Sequence, residues 1–132
     1  MTILDQIIKT KKIELNYSKE NTSILDLEKT FVYFPLGAEP ESNILLGAPF
    51  FTNQIEVIRN ISLSLPTNTI LIVKDHPKSF GKRPISYYNK ILDIPNVRLI
   101  DPLLPTAQLV KQSQLVITIA GSVGWEGILH ER

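Results

Sequence analysis

The sequence TILIVKDHP, residues 69–77, decides the fold class. Residues 70–73 are continuously apolar and follow Thr69, which is typical of a strand covered on both faces. Polar and charged residues follow at once, ending in the pair His76-Pro77. A buried strand that runs directly into a polar loop is expected in a parallel sheet, where ligands bind beyond the carboxyl ends of the strands.

The same alternation continues on both sides of this strand. Short apolar runs bounded by Pro, Asp or Gly predict strands, and segments of helical periodicity lie between them. Asn53, with Glu56 three residues later, resembles a capping box that opens one of the helices, and Pro66 ends it. The predicted strands are 31–34, 69–73, 96–100 and 114–119; the predicted helices are 53–65, 86–92, 106–112 (capped by Thr106) and one from 121–124 towards His130.

Four alternations of strand and helix with short connections predict an α/β fold with a parallel sheet. Right-handed crossovers then give a Rossmann-like, doubly wound sheet of about four strands. Doubly wound nucleotide domains usually have six strands, so we expect a domain that is incomplete at its C-terminal end. An open sheet edge of this kind favours dimerisation or added partner strands.

The first thirty residues differ from this pattern. Ile3, Leu4, Ile7 and Ile8 have helical spacing, and Ser23 is placed to cap a second short helix over 24–29. We therefore expect an N-terminal helical arm or linker over 1–30 and a Rossmann-like domain over 31–132.

Composition narrows the class of protein. The chain has 132 residues, 43% of them apolar and 20% charged, which favours a single globular domain over a disordered chain. No stretch approaches the roughly 18 apolar residues of a membrane span. There is no cysteine, which fits a reducing compartment, and the N-terminal residues lack the pattern of a secretory signal.

Charge argues for a small anionic ligand and against nucleic acid. The net charge is only +1, whereas nucleic-acid recognition usually needs a strongly basic face. Between Lys74 and Lys90, however, five basic residues stand against Asp75 alone, which gives a local net charge of +4. A cluster of this size suits a phosphate group better than a duplex.

The loop after the first predicted strand offers carboxylates. Gly37 permits a sharp turn, and Glu39 and Glu41 flank Pro40. In the functional interpretation a carboxylate accepts hydrogen bonds from sugar hydroxyl groups, and we assign this contact to Glu41. The alternative is a solvated acidic surface loop.

The loop after the second predicted strand offers cations. Proline biases the preceding His76 to an extended backbone, and its imidazole can donate to a phosphate oxygen. Lys74 and Arg83 can add charge-assisted hydrogen bonds. The alternative is a structural histidine in a basic surface loop.

The loop after the fourth predicted strand opens a helix with Gly121-Ser122-Val123-Gly124-Trp125-Glu126. Free amide groups at a helix start favour anions, Gly121 and Gly124 allow close approach, and Ser122 can cap the helix or bond a phosphate. Glu126, about one turn inside, can accept from a ribose. The alternative is a surface helix capped by Ser122 with no ligand. In both interpretations we expect Trp125 to pack in the core.

Other motifs are missing from the sequence. The glycines fit neither GxGxxG nor a Walker A motif, and the chain contains neither HExxH nor a G-x-S-x-G elbow. His130 is predicted to be exposed and receives no role.

Together these loops resemble the capsule polysaccharide biosynthesis proteins. This group includes Kdo-transferase-like enzymes and is related to bacterial sialyltransferases; its members are glycosyltransferases with two facing Rossmann-like domains, the GT-B fold. The resemblance covers residues 31–132. The residues that carry it are Phe34-Pro35-Leu36 with Pro40-Glu41, Lys74-Asp75-His76-Pro77 with Gly81 and Arg83, Pro95-Asn96-Val97, and Gly121 to Glu126.

The resemblance implies a C-terminal domain that binds a nucleotide-sugar donor, typically a CMP-sugar. By analogy His76 contacts the donor phosphate with support from Lys74 and Arg83, residues 121–124 hold phosphate through Ser122 and backbone amides, and Glu126 addresses the ribose. It implies no metal or other cofactor, a saccharide or glycolipid acceptor held by a separate domain, and a cytoplasmic protein that reaches the inner membrane face through partners. This sequence departs from the family pattern at four positions. Gly37 stands where a polar residue is more usual, Asp75 where Glu is, Ser122 where Thr is, and Gly127 where Ala is.

Three functions therefore stay open. The chain is the donor half of a surface-polysaccharide sugar transferase, a non-catalytic module that binds a nucleotide or phosphosugar, or a structural remnant that self-associates. Catalysis needs the acceptor held against the donor, so we expect the isolated chain to be inactive.

Overall fold

The computed structural model of the chain describes residues 30–39, 42–79 and 81–132. The predicted N-terminal arm, apart from Thr30, lies outside the described residues, as does Glu41. Over the described ranges, no helix combines the length and the apolar character needed to cross a membrane.

Four strands and five α-helices make up the described part of the chain. The strands are β1 (Phe31–Pro35), β2 (Ile70–Lys74), β3 (Val97–Ile100) and β4 (Leu115–Val116). The helices are α1 (Ser42–Gly47), α2 (Gln54–Ser64), α3 (Ile85–Leu92), α4 (Thr106–Gln112) and α5 (Val123–Leu129), with 3₁₀ turns at Pro49–Phe51 and Pro77–Ser79.

The sheet is parallel throughout, with strand order β3-β2-β1-β4. The chain runs outward from β1 to β3 and then returns to β4 on the other side of β1. This reversal is the topological switch point of a doubly wound sheet, where ligands bind. The α/β, Rossmann-like fold predicted from the sequence is confirmed.

Both faces of the sheet are covered. Residues alternate between the faces of a strand, so all of β2 is buried between two hydrophobic cores. The larger core joins Leu71 and Val73 to Ile58 of α2 and Ile91 of α3. The smaller one joins Tyr33, Ile70, Ile72, Leu109 and Val110 of β1, β2 and α4.

Of two helix N-caps predicted from the sequence, the structure contains one and lacks the other. The Asn53 side chain accepts from the Glu56 N–H at 3.4 Å, so the predicted cap of α2 is confirmed. The predicted cap at Thr106 is wrong. Pro105 precedes the helix without a side-chain cap, and the Thr106 hydroxyl is instead engaged by Lys74.

The edge strand is shorter than predicted. β4 contains two residues, and the flanking Gln114 and Ile117 N–H groups each donate to β1 at 2.9 Å. The chain then turns, with the Thr118 hydroxyl donating to the Ala120 carbonyl. Trp125 is 72% exposed, so its predicted place in the core is wrong, whereas His130 is exposed as predicted.

Candidate functional site at the carboxyl edge of the sheet

Three loops leave the carboxyl edge of the sheet, each following a different strand. In the order of the sheet they follow β2, β1 and β4, and they contain His76, Gly37 with Glu39, and Gly121 with Ser122. Neighbouring strands lie about 5 Å apart, so the first and third loops leave the sheet roughly 10 Å from each other. The loop after β1 lies between them, beside the switch point.

His76 is half-buried and is held through its backbone N–H and through one nitrogen of its ring. Its backbone N–H donates to Asp75 Oδ1 at 2.7 Å, and its Nδ1 accepts from the Lys78 N–H at 3.1 Å. A neutral imidazole has one acceptor and one donor nitrogen, so the proton is assigned to Nε2. The local backbone therefore prepares Nε2–H as a donor, as a phosphate contact requires.

Asp75 organises the start of the same loop. Its side chain is fully buried. Oδ1 accepts from the His76 N–H and from Arg83 Nε, and Oδ2 accepts from the Tyr88 hydroxyl at 2.7 Å. Buried polar groups need partners, and this carboxylate has three.

Arg83 connects the loop after β2 to the loop after β1. Only 6% of its side chain is exposed; Nη2 donates to the Gly37 carbonyl at 2.6 Å and Nη1 lies 2.8 Å from Glu39 Oε2. Its guanidinium stacks over the Tyr87 ring at 4.6 Å. Burial lowers its pKa, but neighbours led by Asp75 outweigh burial, and the pKa lies above its ordinary value.

Lys74 points to the opposite face of the sheet. Its Nζ donates to the Leu104 carbonyl at 2.5 Å and to Thr106 Oγ1 at 2.8 Å. Burial lowers the pKa of Lys74, against the charges of Asp101 and Glu126. The structure therefore separates Lys74 from Arg83 and gives both cations internal partners, while Lys78 and Lys82 are exposed at this edge.

Glu126 lies on the face of the sheet that Lys74 occupies. It is half-buried in α5 and interacts electrostatically with Lys74 and Tyr33. The structure thus brings Glu126 towards the ends of β1 and β2, on the side opposite Arg83.

The loop before α5 depends on its glycines. Gly121 has φ +111°, a left-handed conformation that other residues rarely adopt. A Cβ on Gly124 would lie 3.0 Å from Thr118 Cγ2, so glycine permits the close approach of the helix to Thr118. Ser122 is exposed and its hydroxyl does not cap α5, which has seven residues.

The buried tyrosines predict how stability changes with pH. Burial raises the pKa of Tyr33 above its ordinary value of 10.0, against the hydrogen bond to Thr106. A raised pKa means that the stabilisation is complete below pH 10 and is lost as the pH rises. We expect the free energy of unfolding, measured with urea at pH 9, 10 and 11, to fall less with rising pH in Tyr33→Phe than in the wild type. The two slopes should differ by up to about 1.4 kcal/mol per pH unit. Parallel curves would contradict this prediction.

Several residues of the site have no sequence signal. Gln54 lies within the predicted helix 53–65 and has no predicted role, yet it is 1% exposed and its amide holds Gly37 and Glu39. The Tyr88 hydroxyl likewise donates to Asp75, and the Thr106 hydroxyl oxygen accepts from Lys74. These contacts join residues 13 to 32 positions apart, which local patterns do not reveal.

Among residues 30–39, 42–79 and 81–132, no group of three or more His, Cys, Asp or Glu side chains is arranged to hold a metal ion. The site instead consists of backbone amides, an oriented imidazole and carboxylates. Asp75 and Glu39 belong to the contacts around Arg83, and Glu126 lies on the side of Lys74.

Comparison with known proteins agrees with the resemblance drawn from the loops. No curated protein and no solved structure matched the chain significantly. One family model did match, over residues 4–132, and therefore reaches further towards the N terminus than the resemblance over residues 31–132. Since the match extends over nearly the whole chain, the chain belongs to the capsule polysaccharide biosynthesis protein family.

Proposed function

We propose that this chain binds the nucleotide-sugar donor of a glycosyltransferase that acts in capsule polysaccharide synthesis. Membership of the family supports a role in capsule synthesis. The observation that carries the proposal is the orientation of His76, whose Nδ1 accepts a backbone N–H at the carboxyl edge of the sheet. A donor Nε2–H at that edge suits a phosphate oxygen of the ligand.

The nucleotide lies across the loops that follow β2, β1 and β4. His76 donates to the phosphate, Ser122 and the amides of residues 121–124 contact phosphate or ribose oxygens, and Glu126 accepts from the ribose. A nucleotide sugar is long enough to span these loops. The donor class follows from the resemblance, which implies a CMP-sugar with a single phosphate.

Lys74 and Arg83 support this site from within the protein. Their hydrogen bonds to Thr106, Leu104, Gly37 and Asp75 fix the loops that present the ligand-binding groups. Direct contact with the phosphate then falls mainly to His76.

In the transfer reaction an acceptor hydroxyl oxygen forms a bond to the sugar carbon as the bond between that carbon and the nucleotide phosphate breaks. The hydroxyl proton passes to a base on the acceptor side, and negative charge grows on the departing phosphate. Oriented N–H donors stabilise such developing charge without needing to reorganise. The acceptor is held by a second domain or partner. We expect no turnover from the 132 residues alone, because the acceptor must be fixed against the donor.

The proposal is tested by measuring the dissociation constants of CMP, UMP, UDP and inorganic phosphate with isothermal titration calorimetry. We expect CMP to bind at least ten times more tightly than phosphate, because the ribose and the base add contacts. Absence of binding to every nucleotide contradicts the proposal and favours a structural role. Binding without transfer, even after an acceptor domain is added, favours a non-catalytic binding module.

A further inference from the structure

We infer that Glu39 recognises hydroxyl groups of the donor's sugar, and that Gln54 and Arg83 are positioning residues that hold its carboxylate. This inference rests on the proposed function. It assigns the sugar contact to a residue other than Glu41, the carboxylate favoured by the sequence.

Gln54 fixes the loop after β1 from the first turn of α2. Its Oε1 accepts from the Gly37 N–H at 2.8 Å, and its Nε2 donates to the Gly37 carbonyl at 3.3 Å. The same Nε2 donates to Glu39 Oε1 at 2.5 Å. The buried amide of Gln54 therefore sets both the backbone of the loop and the direction of the Glu39 side chain.

Arg83 holds the other carboxylate oxygen. Its Nη1 lies 2.8 Å from Glu39 Oε2, while its Nη2 donates to the Gly37 carbonyl. Glu39 is thus held at two points by buried side chains. A carboxylate has about four acceptor sites, so the two partners that Glu39 has among the described residues leave capacity for a ligand.

Comparison with Asp75 separates a ligand-binding role from a purely structural one. Asp75 is fully buried and accepts from three protein donors, as a structural carboxylate should. The Glu39 side chain is 41% exposed. Gln54 and Arg83 also hold Gly37 directly, so the loop does not depend on Glu39 alone.

The position of Glu39 suits the sugar of the donor. It follows β1, the strand between the loop of His76 and the loop of Ser122. A sugar attached to a phosphate beside His76 lies within this edge. Hydrogen bonds from hydroxyl groups to a carboxylate are charge-assisted and therefore stronger than neutral ones, which makes this carboxylate a selective contact for a polyhydroxylated group.

The test compares a nucleotide with its sugar conjugate. The dissociation constants of CMP and CMP-N-acetylneuraminic acid, and of UDP and UDP-glucose, are measured by titration calorimetry. For the pair that the wild type binds, Glu39→Gln should leave nucleotide affinity within twofold. It should weaken binding of the sugar conjugate about tenfold, as expected for a hydrogen bond to a charged group. Glu39→Asp, which keeps the charge but withdraws the carboxylate, should show an intermediate loss.

Two variants provide comparisons. Glu56→Gln removes an exposed carboxylate that pairs with Arg59 on α2 and should change neither affinity. Gln54→Leu also removes two hydrogen bonds to the Gly37 backbone, so it should weaken both ligands. Its additional loss for the sugar conjugate over the nucleotide should vanish in the Glu39→Gln background, because both changes act on that one contact. A purely structural role would instead weaken the nucleotide and the conjugate equally.

The outcomes distinguish the two proposals. If the wild type binds no nucleotide, the proposed function fails and the inference fails with it. If the wild type binds nucleotide normally but Glu39→Gln leaves the sugar contribution intact, only the inference fails. Selective loss in Glu41→Gln without loss in Glu39→Gln also overturns it.

Discussion

Replacing His76 with alanine should weaken CMP binding by roughly 10- to 150-fold. The variant loses one hydrogen bond to a charged group, which is worth about 1.5–3 kcal/mol. Stability should change little, because the half-buried imidazole has one hydrogen-bond partner among the described residues, the Lys78 N–H. Titration calorimetry and thermal unfolding on the same samples measure both effects.

Lys78→Ala is the matched control. Lys78 carries an exposed charge two residues from His76, and its backbone N–H, which orients the imidazole, is kept in the variant. We expect near-wild-type affinity. His76→Gln, which restores a side-chain N–H donor, should recover part of the loss. Equal losses in the alanine variants of His76 and Lys78 would indicate diffuse charge attraction and contradict a specific phosphate contact.

Replacing Asp75 with alanine should lower the free energy of unfolding by about 3–5 kcal/mol. This is the usual cost of removing one member of a buried ion pair, since the partner charge stays buried. The Tyr88 hydroxyl, Arg83 Nε and the His76 N–H all lose their acceptor. Urea unfolding measures the change, and the midpoint of thermal unfolding should fall by about 12 °C or more.

The exposed pair of Glu56 and Arg59 provides the control for Asp75. Its atoms lie 3.5 Å apart, with about half of each side chain exposed. Glu56→Ala should therefore cost at most about 1 kcal/mol. If Asp75→Ala costs no more than Glu56→Ala, the buried network does not organise the loops after β1 and β2.

The sheet was predictable because its signal is local. Apolar runs beginning near Phe31 and Ile70 marked buried strands, and Asn53 marked a helix start by its own side-chain chemistry. β4 was overestimated because apolar residues continue to Ile119 after pairing with β1 has stopped. Hydrophobicity predicts burial better than it predicts the length of pairing at an edge.

The prediction that Trp125 packs in the core is wrong because glycines form the face of α5 that packs against the sheet. Gly124 and Gly127 are three residues apart, and both contact the chain around β4; a Cβ on Gly127 would lie 3.2 Å from Val116 Cβ. The glycine face lies against the sheet, so Trp125 and Ile128 point away from it and are exposed. A rule that places tryptophan inside fails where glycine provides the close contact.

The candidate site was predictable in position and less so in detail. The three loops follow the strands as expected, but the cations near His76 do not form one cluster. Neighbouring strand residues point to opposite faces, which sends Lys74 to α4 and Asp75 to Arg83. The contact of Arg83 with Gly37 spans 46 residues and has no local signature.

An NMR titration of the isotope-labelled chain with CMP tests whether one ligand contacts the loops after β2 and β4. The resonances of the His76 imidazole and of the amides of Gly121, Ser122 and Gly124 are followed together. Both groups of resonances should shift and fit one dissociation constant, because the same bound nucleotide lies beside both loops. Shifts in only one loop, two different dissociation constants, or no shift in either loop would contradict it.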